Sequence, residues 1–282
     1  MGMGNDAVGT RQPRWLFISS AVFATAVLAG CSSSSTAGNP TASATSPPSM
    51  QGNNGTACVT AALKGACGPY RYPAITASDG ANTFVSQNVW NPIPQWSQTL
   101  HATSPGSWYV TANIPGGNTA VVSFPDASEE YYYKNTLTGW SAIFSSFAEN
   151  MNQTSATSAE AAYDIWLNGW RNEVMIQHDI INRGSCSVLA IASFGGSGGV
   201  PVQDWNLCTY GSELIWQLRG APEQAGSVDI LAMLTWLERH GYLPQASELV
   251  NISYGFEICS TGGRPETFTV SRFSISAPKA RR

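Results

Sequence analysis

Charge is what this sequence has least of. Of 282 residues, 14 are Lys or Arg and 18 are Asp or Glu, 11% in all, against about 25% in an ordinary soluble domain. A net charge of -4 offers no basic face to a phosphate backbone, which argues against a nucleic-acid partner. Histidine is scarcer still. The three, His101, His178 and His240, are isolated; none lies at ligand spacing from a cysteine pair and no Ser, His, Asp order stands out, so neither a metal centre nor a serine-type triad is indicated. The glycine cluster Gly195, Gly196, Ser197, Gly198, Gly199 lacks the following Lys and Ser or Thr of a phosphate loop, and reads as a mobile loop. What remains is 43% hydrophobic with ten Trp. That is ample for a core, and it leaves a surface of neutral hydrogen-bonding groups and aromatic faces, suited to a neutral partner.

Long apolar runs are also missing, apart from residues 15–28, which follow Arg11 and Arg14. This run is too short to span a bilayer and has the layout of an export signal. It ends in Leu28, Ala29, Gly30, Cys31, which resembles the bacterial lipobox, so residues 1–30 read as a lipoprotein signal peptide and Cys31 as a lipidated N-terminus; an ordinary signal peptide with an incidental Cys is the alternative. Residues 31–57 are almost wholly Ser, Thr, Ala, Gly, Pro and Asn, a composition that cannot bury enough apolar surface to offset chain entropy and reads as a linker. The expectation is an exported protein, held to the outer face of the cell membrane by lipid alone or secreted. In that oxidising compartment Cys58, Cys67, Cys186, Cys208 and Cys259 remain, an odd number; Cys58 with Cys67 and Cys186 with Cys208 are the pairings sequence distance suggests, with one thiol left over.

Residues 58–282 form one domain. Runs at 107–114, 119–124, 173–176 and 248–258 are rich in β-branched and aromatic residues and separated by Gly, Asn and Pro turns, predicting short strands. One helix is predicted, with Asp229, Ile230, Leu231, Leu234 and Leu237 on a shared face and Gly241 just past its end. Many strands with a single late helix predict an all-β sandwich of two sheets.

Two strands carry acids where acids are unusual. Alternation puts Glu173, Met175 and Gln177 on one face, opposite Val174 and Ile176, and turns His178 away from them. In the late strand Val250, Ile252, Tyr254, Phe256 and Ile258 face the core, which leaves Glu257 with Asn251, Ser253, Gly255 and Cys259. Two carboxylates across a groove are what hydrolysis of a glycosidic bond requires, one to protonate the departing oxygen and one to capture or stabilise the sugar cation. The bland alternative is a solvated Glu on the outer face of each strand.

The stretch Tyr163, Asp164, Ile165, Trp166 followed by Asn172, Glu173, Val174, Met175, Ile176 resembles the nucleophile region of glycoside hydrolase family 12, the small retaining endo-β-1,4-glucanases and xyloglucanases. Gly255, Phe256, Glu257 resembles that family's acid/base strand, the helix segment Asp229, Ile230, Leu231, Ala232 with Gly241, Tyr242, Leu243 is similar too, and Asn88, Val89, Trp90, Asn91, Pro92 matches near a substrate-stacking Trp. The matches run in family order. The resemblance implies a β-jelly roll of two curved antiparallel sheets with one α-helix, Glu173 as nucleophile and Glu257 as acid/base, with no metal and no cofactor. It implies supporting roles for Asp164 beside the nucleophile and Met175 under the reacting sugar, with Asn88, Trp90 and Gln177 in substrate binding; for Asp164 a plain buried hydrogen-bond partner, for Met175 simple packing and for Trp90 a place in the core are the alternatives. Family members usually carry Trp at the position of Gln177 and no Cys at that of Cys259, which bears on substrate choice more than on reaction type. The expectation is a monomeric endo-acting β-1,4-glucan hydrolase, cellulase-like; a surface β-glucan-binding lectin on the same fold is the alternative from another class, and the xylanase fold of family 11 the nearest structural one.

Overall fold

The structure is a computed structural model and describes residues 58–61, 81–151, 154–184 and 186–280. The signal segment, Cys31, the linker and Cys67, and with it the expected Cys58–Cys67 clip, lie outside the described residues. Two sheets make up the fold. The six-stranded sheet has the order β1 (Cys58–Ala61), β3 (Ser97–Ser104), β4 (Ser107–Asn113), β14 (Glu266–Ser276), β6 (Phe144–Met151) and β12 (Ala225–Asp229). The eight-stranded sheet runs β2 (Ala81–Ser86), β5 (Asp126–Thr136), β13 (Glu248–Thr261), β7 (Thr157–Leu167), β8 (Asn172–Ile181), β11 (Glu213–Leu218), β10 (Gln203–Tyr210) and β9 (Val188–Phe194). This is the expected sandwich. Among the described residues each pairing is antiparallel but one: β11 lies parallel to β8, with Leu214 opposite Val174 and Gln217 opposite Gln177. The chain leaves β8, runs to the sheet edge as β9 and returns through β10, so β11 closes onto β8 in the same direction.

The core between the sheets is aromatic. Phe147 from one sheet meets Tyr163 and Tyr254 from the other, and Trp108 packs edge-on against Phe256. Burying each such side chain contributes roughly 1.5–3 kcal/mol, which is why Tyr163, Ile165, Tyr254 and Phe256 fix which face of β7 and β13 turns inward. The opposite face of the same strands then holds the polar residues. His178 is on the core side as expected, stacked on Phe147 at 3.9 Å and in a hydrogen bond with the Tyr254 hydroxyl at 3.1 Å; burial drives its pKa down to about 4.

The helix, α1 (Ile230–Arg239), starts and stops where its residues require. Asp229 accepts a hydrogen bond from the Ala232 amide at 3.0 Å as N-cap. At the other end Gly241 adopts φ 76°, its amide bonds the Glu238 carbonyl at 3.2 Å and the Tyr242 amide bonds Leu237 at 2.9 Å, a Schellman motif. Its buried face is Ile230, Met233, Leu234 and Leu237, whereas Leu231, expected on that face, is half-buried at its margin.

One expectation is corrected. Residues 119–124 form no strand, although Val121, Val122, Ser123 and Phe124 are all buried. The segment bonds on one side to Asn88 and Trp90 and on the other to Ile258, bridging two elements without a ladder of its own. The glycine cluster is a tight turn closed by Gly196 to Val200 and Val200 to Ser197 hydrogen bonds of 2.8 and 2.9 Å, and a side chain at Gly195 would run into the Pro201 carbonyl.

Candidate active site

Three adjacent strands bring the predicted acids to one face, the side of the eight-stranded sheet turned away from the core. On β7 the period of two aligns Glu160, Ala162, Asp164 and Trp166. Across one side of β7, Asp164 faces Met175 and Trp166 faces Glu173 of β8; across the other, Glu160 faces Glu257 of β13. Glu173 and Glu257 therefore stand at two levels of the sheet, with Asp164 and Glu160 arranged along β7 between them. Gly255 belongs to the same row, and its missing side chain matters: a Cβ there would collide with the Pro125 carbonyl, which instead accepts the Phe256 amide at 3.1 Å and brings Asp126 of β5 alongside.

Crowding of carboxyls dominates the electrostatics. Glu173 is half-buried, and its pKa is pushed up to about 10, first by loss of water, then by the charges of Asp164, Glu213 and Glu257. Asp164 is also driven well above the usual carboxylate range by burial, against a 3.0 Å hydrogen bond that its Oδ2 accepts from the Trp166 indole. Asp126 rises to about 7 for the same leading reason, opposed by hydrogen bonds from Ser128, Asn88 and Ser253. Such a set holds fewer charges than it has carboxyls, and its protons belong to the group as a whole.

Glu257 is 2% exposed. Arg183, on the segment that follows β8, places Nη1 at 2.5 Å from Glu257 Oε2 and 2.7 Å from Glu160 Oε2. Gln177 donates from Nε2 to Glu160 Oε1 at 2.8 Å and accepts from Gln217 Nε2 at 2.9 Å. Gln177 is thus buried in a chain of side chains that crosses four strands and ends on Glu257. The segment carrying Arg183 is tied down by the disulfide between Cys186 and Cys208, the pairing expected from sequence distance. Met175 packs with Ala162, Cys208 and Ile215 in a small apolar cluster on the same face. Cys259 is disulfide-bonded as well, and Trp90 packs against it and Val121.

Asn88, with φ 39°, accepts the Trp90 indole proton on Oδ1 at 2.8 Å and so fixes the ring at the Glu257 side of the face. At the Glu173 side Trp166 meets Trp170, which is 48% exposed at the end of a β7–β8 turn where Asn168, Gly169 and Trp170 all take positive φ. All seven residues singled out on the domain therefore come to one face. Glu160, Asp126, Glu213 and Arg183 join them without having been singled out. Glu160 was within reach of the alternation argument, four residues before Asp164 on the same strand; Glu213 and Arg183 depend on the parallel closure of β11 and on the course of a loop, which leave no periodic trace.

No protein-family profile matches the chain, and no curated protein does. Solved structures match its fold. The xyloglucanase domain of NopAA, a type three effector from Sinorhizobium fredii, solved in complex with cellobiose, is 22% identical, with a TM-score of 0.57 over 72% of this chain and 99% of that one. The family 12 xyloglucanase from Bacillus licheniformis is 16% identical, with a TM-score of 0.61 over 79% of this chain and 100% of the other. The endoglucanase Cel12A from Rhodothermus marinus is 18% identical, with a TM-score of 0.58 over 70% and 92%. At such identities the likeness establishes the shared jelly-roll fold.

Proposed function

We propose that the protein is a glycoside hydrolase of the family 12 type, an endo-acting β-1,4-glucan hydrolase in which Glu173 is the nucleophile and Glu257 the general acid/base. The observation that carries this reading is the placement of both acids on the same face of β8 and β13, flanking β7, with Glu173 opposite Trp166 and Glu257 opposite Glu160. In the first half-reaction Glu257 gives its proton to the glycosidic oxygen as that bond breaks, and the Glu173 carboxylate forms an ester with the sugar; in the second, Glu257 takes a proton from the water that displaces Glu173. Ionised Glu173 is needed for the first step. The charge of Asp164 opposes that ionisation, so the acidic limb of the activity reports Glu173 losing its proton. Trp90, Trp166 and Trp170 at the two ends of the face are suited to stack on sugar rings.

The relatives with this fold are described as xyloglucanases and endoglucanases, and the scarcity of charge suits a neutral glucan. The burial of Glu257 against Arg183 is the one observation favouring the second reading, a β-glucan-binding protein that cleaves nothing. The test is to incubate the purified protein with xyloglucan, mixed-linkage glucan and amorphous cellulose and to measure new reducing ends. Release is expected from at least one glucan and none from Glu173→Ala, to which azide restores partial cleavage by replacing the lost nucleophile. Binding without release by the wild type would leave the lectin. The anomer first released, followed by NMR, is expected to be β; an α product would mean direct displacement by water, for which the wider spacing of an inverting pair is needed.

A further inference from the structure

Glu257 is not alone on its side of the cleft. It faces Glu160 directly across the β7–β13 ladder, and both carboxyls converge on a single nitrogen, Nη1 of Arg183. All three side chains are shut away from water, at 8% exposure or less. Two carboxylates and one guanidinium would leave a net negative charge buried; two carboxyls with one proton between them, against one guanidinium, leave none, and burial strongly favours the neutral count. Gln177 fixes the orientation of the second acid by donating to Glu160 Oε1, and Gln217 in turn holds Gln177. Both oxygens of Glu160 are therefore engaged, Oε1 by Gln177 and Oε2 by Arg183, whereas the hydrogen bond seen on Glu257 is confined to Oε2.

From this the geometry points to a further positioning residue: Glu160 shares one proton with Glu257 over Arg183, and so keeps Glu257 able to act as an acid beside a cation that would otherwise hold it ionised. The inference rests on the assignment of Glu257 as acid/base. It also gives Gln177 a place in this chain, where the expectation from resemblance was contact with substrate. The proton count closes over a cycle. Glu257 loses its proton to the departing glycosidic oxygen, both carboxylates then face Arg183, and the proton taken from the attacking water restores the shared one. Burial drives Glu160 well above the usual carboxylate range, with Arg183 opposing and Glu257 and Glu213 adding to the rise. The other charged groups around the pair, among the described residues, are Asp126 from β5, Asp164 from β7, Glu173 from β8 and Glu213 from β11, all acids; Arg183 is the cation placed against them.

In Glu160→Gln no second carboxyl is left to share the proton against Arg183, so the alkaline limb of kcat/KM on β-glucan moves down by about one pH unit or more. Arg183→Met removes the cation and moves the same limb up. With 2,4-dinitrophenyl β-cellobioside, whose leaving group needs no proton, neither variant shifts that limb, which separates an effect on the acid from a general loss of structure. Limbs that stay in place in both variants, while Glu257→Ala still loses glucan hydrolysis, would overturn the shared proton and leave the assignment of Glu257 standing. If Glu257→Ala cleaves glucan as well as the wild type, the assignment itself falls. A readout independent of turnover is carboxyl-carbon NMR of the wild-type protein labelled in Glu: Glu160 is expected to keep its proton well above the usual carboxylate range, and a Glu160 that ionises within that range would overturn the proposal even if the variants fail to fold.

Discussion

Asp164 and Glu173 show how far a carboxyl's behaviour is set by what surrounds it. Burial is the largest cause of the rise of Glu173 to about 10, and Asp164 is the first of the neighbouring charges that add to it. Asp164→Asn removes that charge while leaving an oxygen for the Trp166 indole. Glu173 should then ionise at lower pH, and the acidic limb of kcat/KM, which reports the nucleophile losing its proton, should move down by about one unit. An acidic limb that does not move would show that Asp164 carries no charge when Glu173 ionises. Glu173 and Glu257 could be found from the sequence because a strand puts every second side chain on one face, and Val174, Ile176, Tyr254 and Phe256 declare which face is inside; Asp164 was marked by the resemblance alone. Their partners were harder. Glu160 shares the β7 period and was legible in principle, but that it faces Glu257 is a matter of register between strands about ninety residues apart in sequence, and register is written in packing and not in either strand alone.

At the scale of elements, what could be read in advance was what local chemistry dictates. The helix was legible from its apolar spacing, its Asp229 start and its glycine stop, and the structure shows each doing that job. Gly241 is needed for its φ of 76° and for nothing else, since a side chain there would meet no atom within 4 Å. Gly241→Ala should therefore cost about 1 kcal/mol through backbone strain alone, read as a lowered denaturant midpoint with an unchanged slope; a variant as stable as the wild type would mean the helix end relaxes without the motif. Elements whose form depends on distant partners were misread. Residues 119–124 have strand-like composition, yet they run between Asn88 and Ile258 with only isolated bridges. The parallel placement of β11 against β8 could not be foreseen from hairpin-sized spacings, because it follows from an excursion of two strands to the sheet edge.

At the scale of the whole molecule, the sandwich encloses acids that its core does not satisfy. Glu149 of β6 and Asp179 of β8 meet between the two sheets, 6% and 1% exposed, with the partner acid and the Ile180 backbone amide the hydrogen-bonding groups set against Asp179. Glu149 is pushed up to about 9 by burial and then by Asp179, which is itself raised by burial. A carboxyl that binds its proton more tightly folded than unfolded contributes stability that is complete below its ordinary pKa of about 4.5 and is lost as pH rises to its folded value. Asp126 and Glu173 act in the same direction up to about 7 and 10. His178 acts oppositely, since its folded pKa of about 4 means that the unfolded chain binds its proton first, but that contribution is complete above about 6.5. Between pH 6.5 and 9 the carboxyls act unopposed, each withdrawing up to about 1.4 kcal/mol per pH unit while its folded form stays protonated. The Tm of the wild type should thus fall steadily over that interval. Glu149→Gln supplies an amide donor to Asp179 and removes one titrating group, so its Tm should exceed that of the wild type at pH 9 and fall less steeply from pH 6.5. A wild-type Tm that is level or rising between pH 6.5 and 9 would show that water or a counter-ion reaches these acids and that they are charged inside the folded protein.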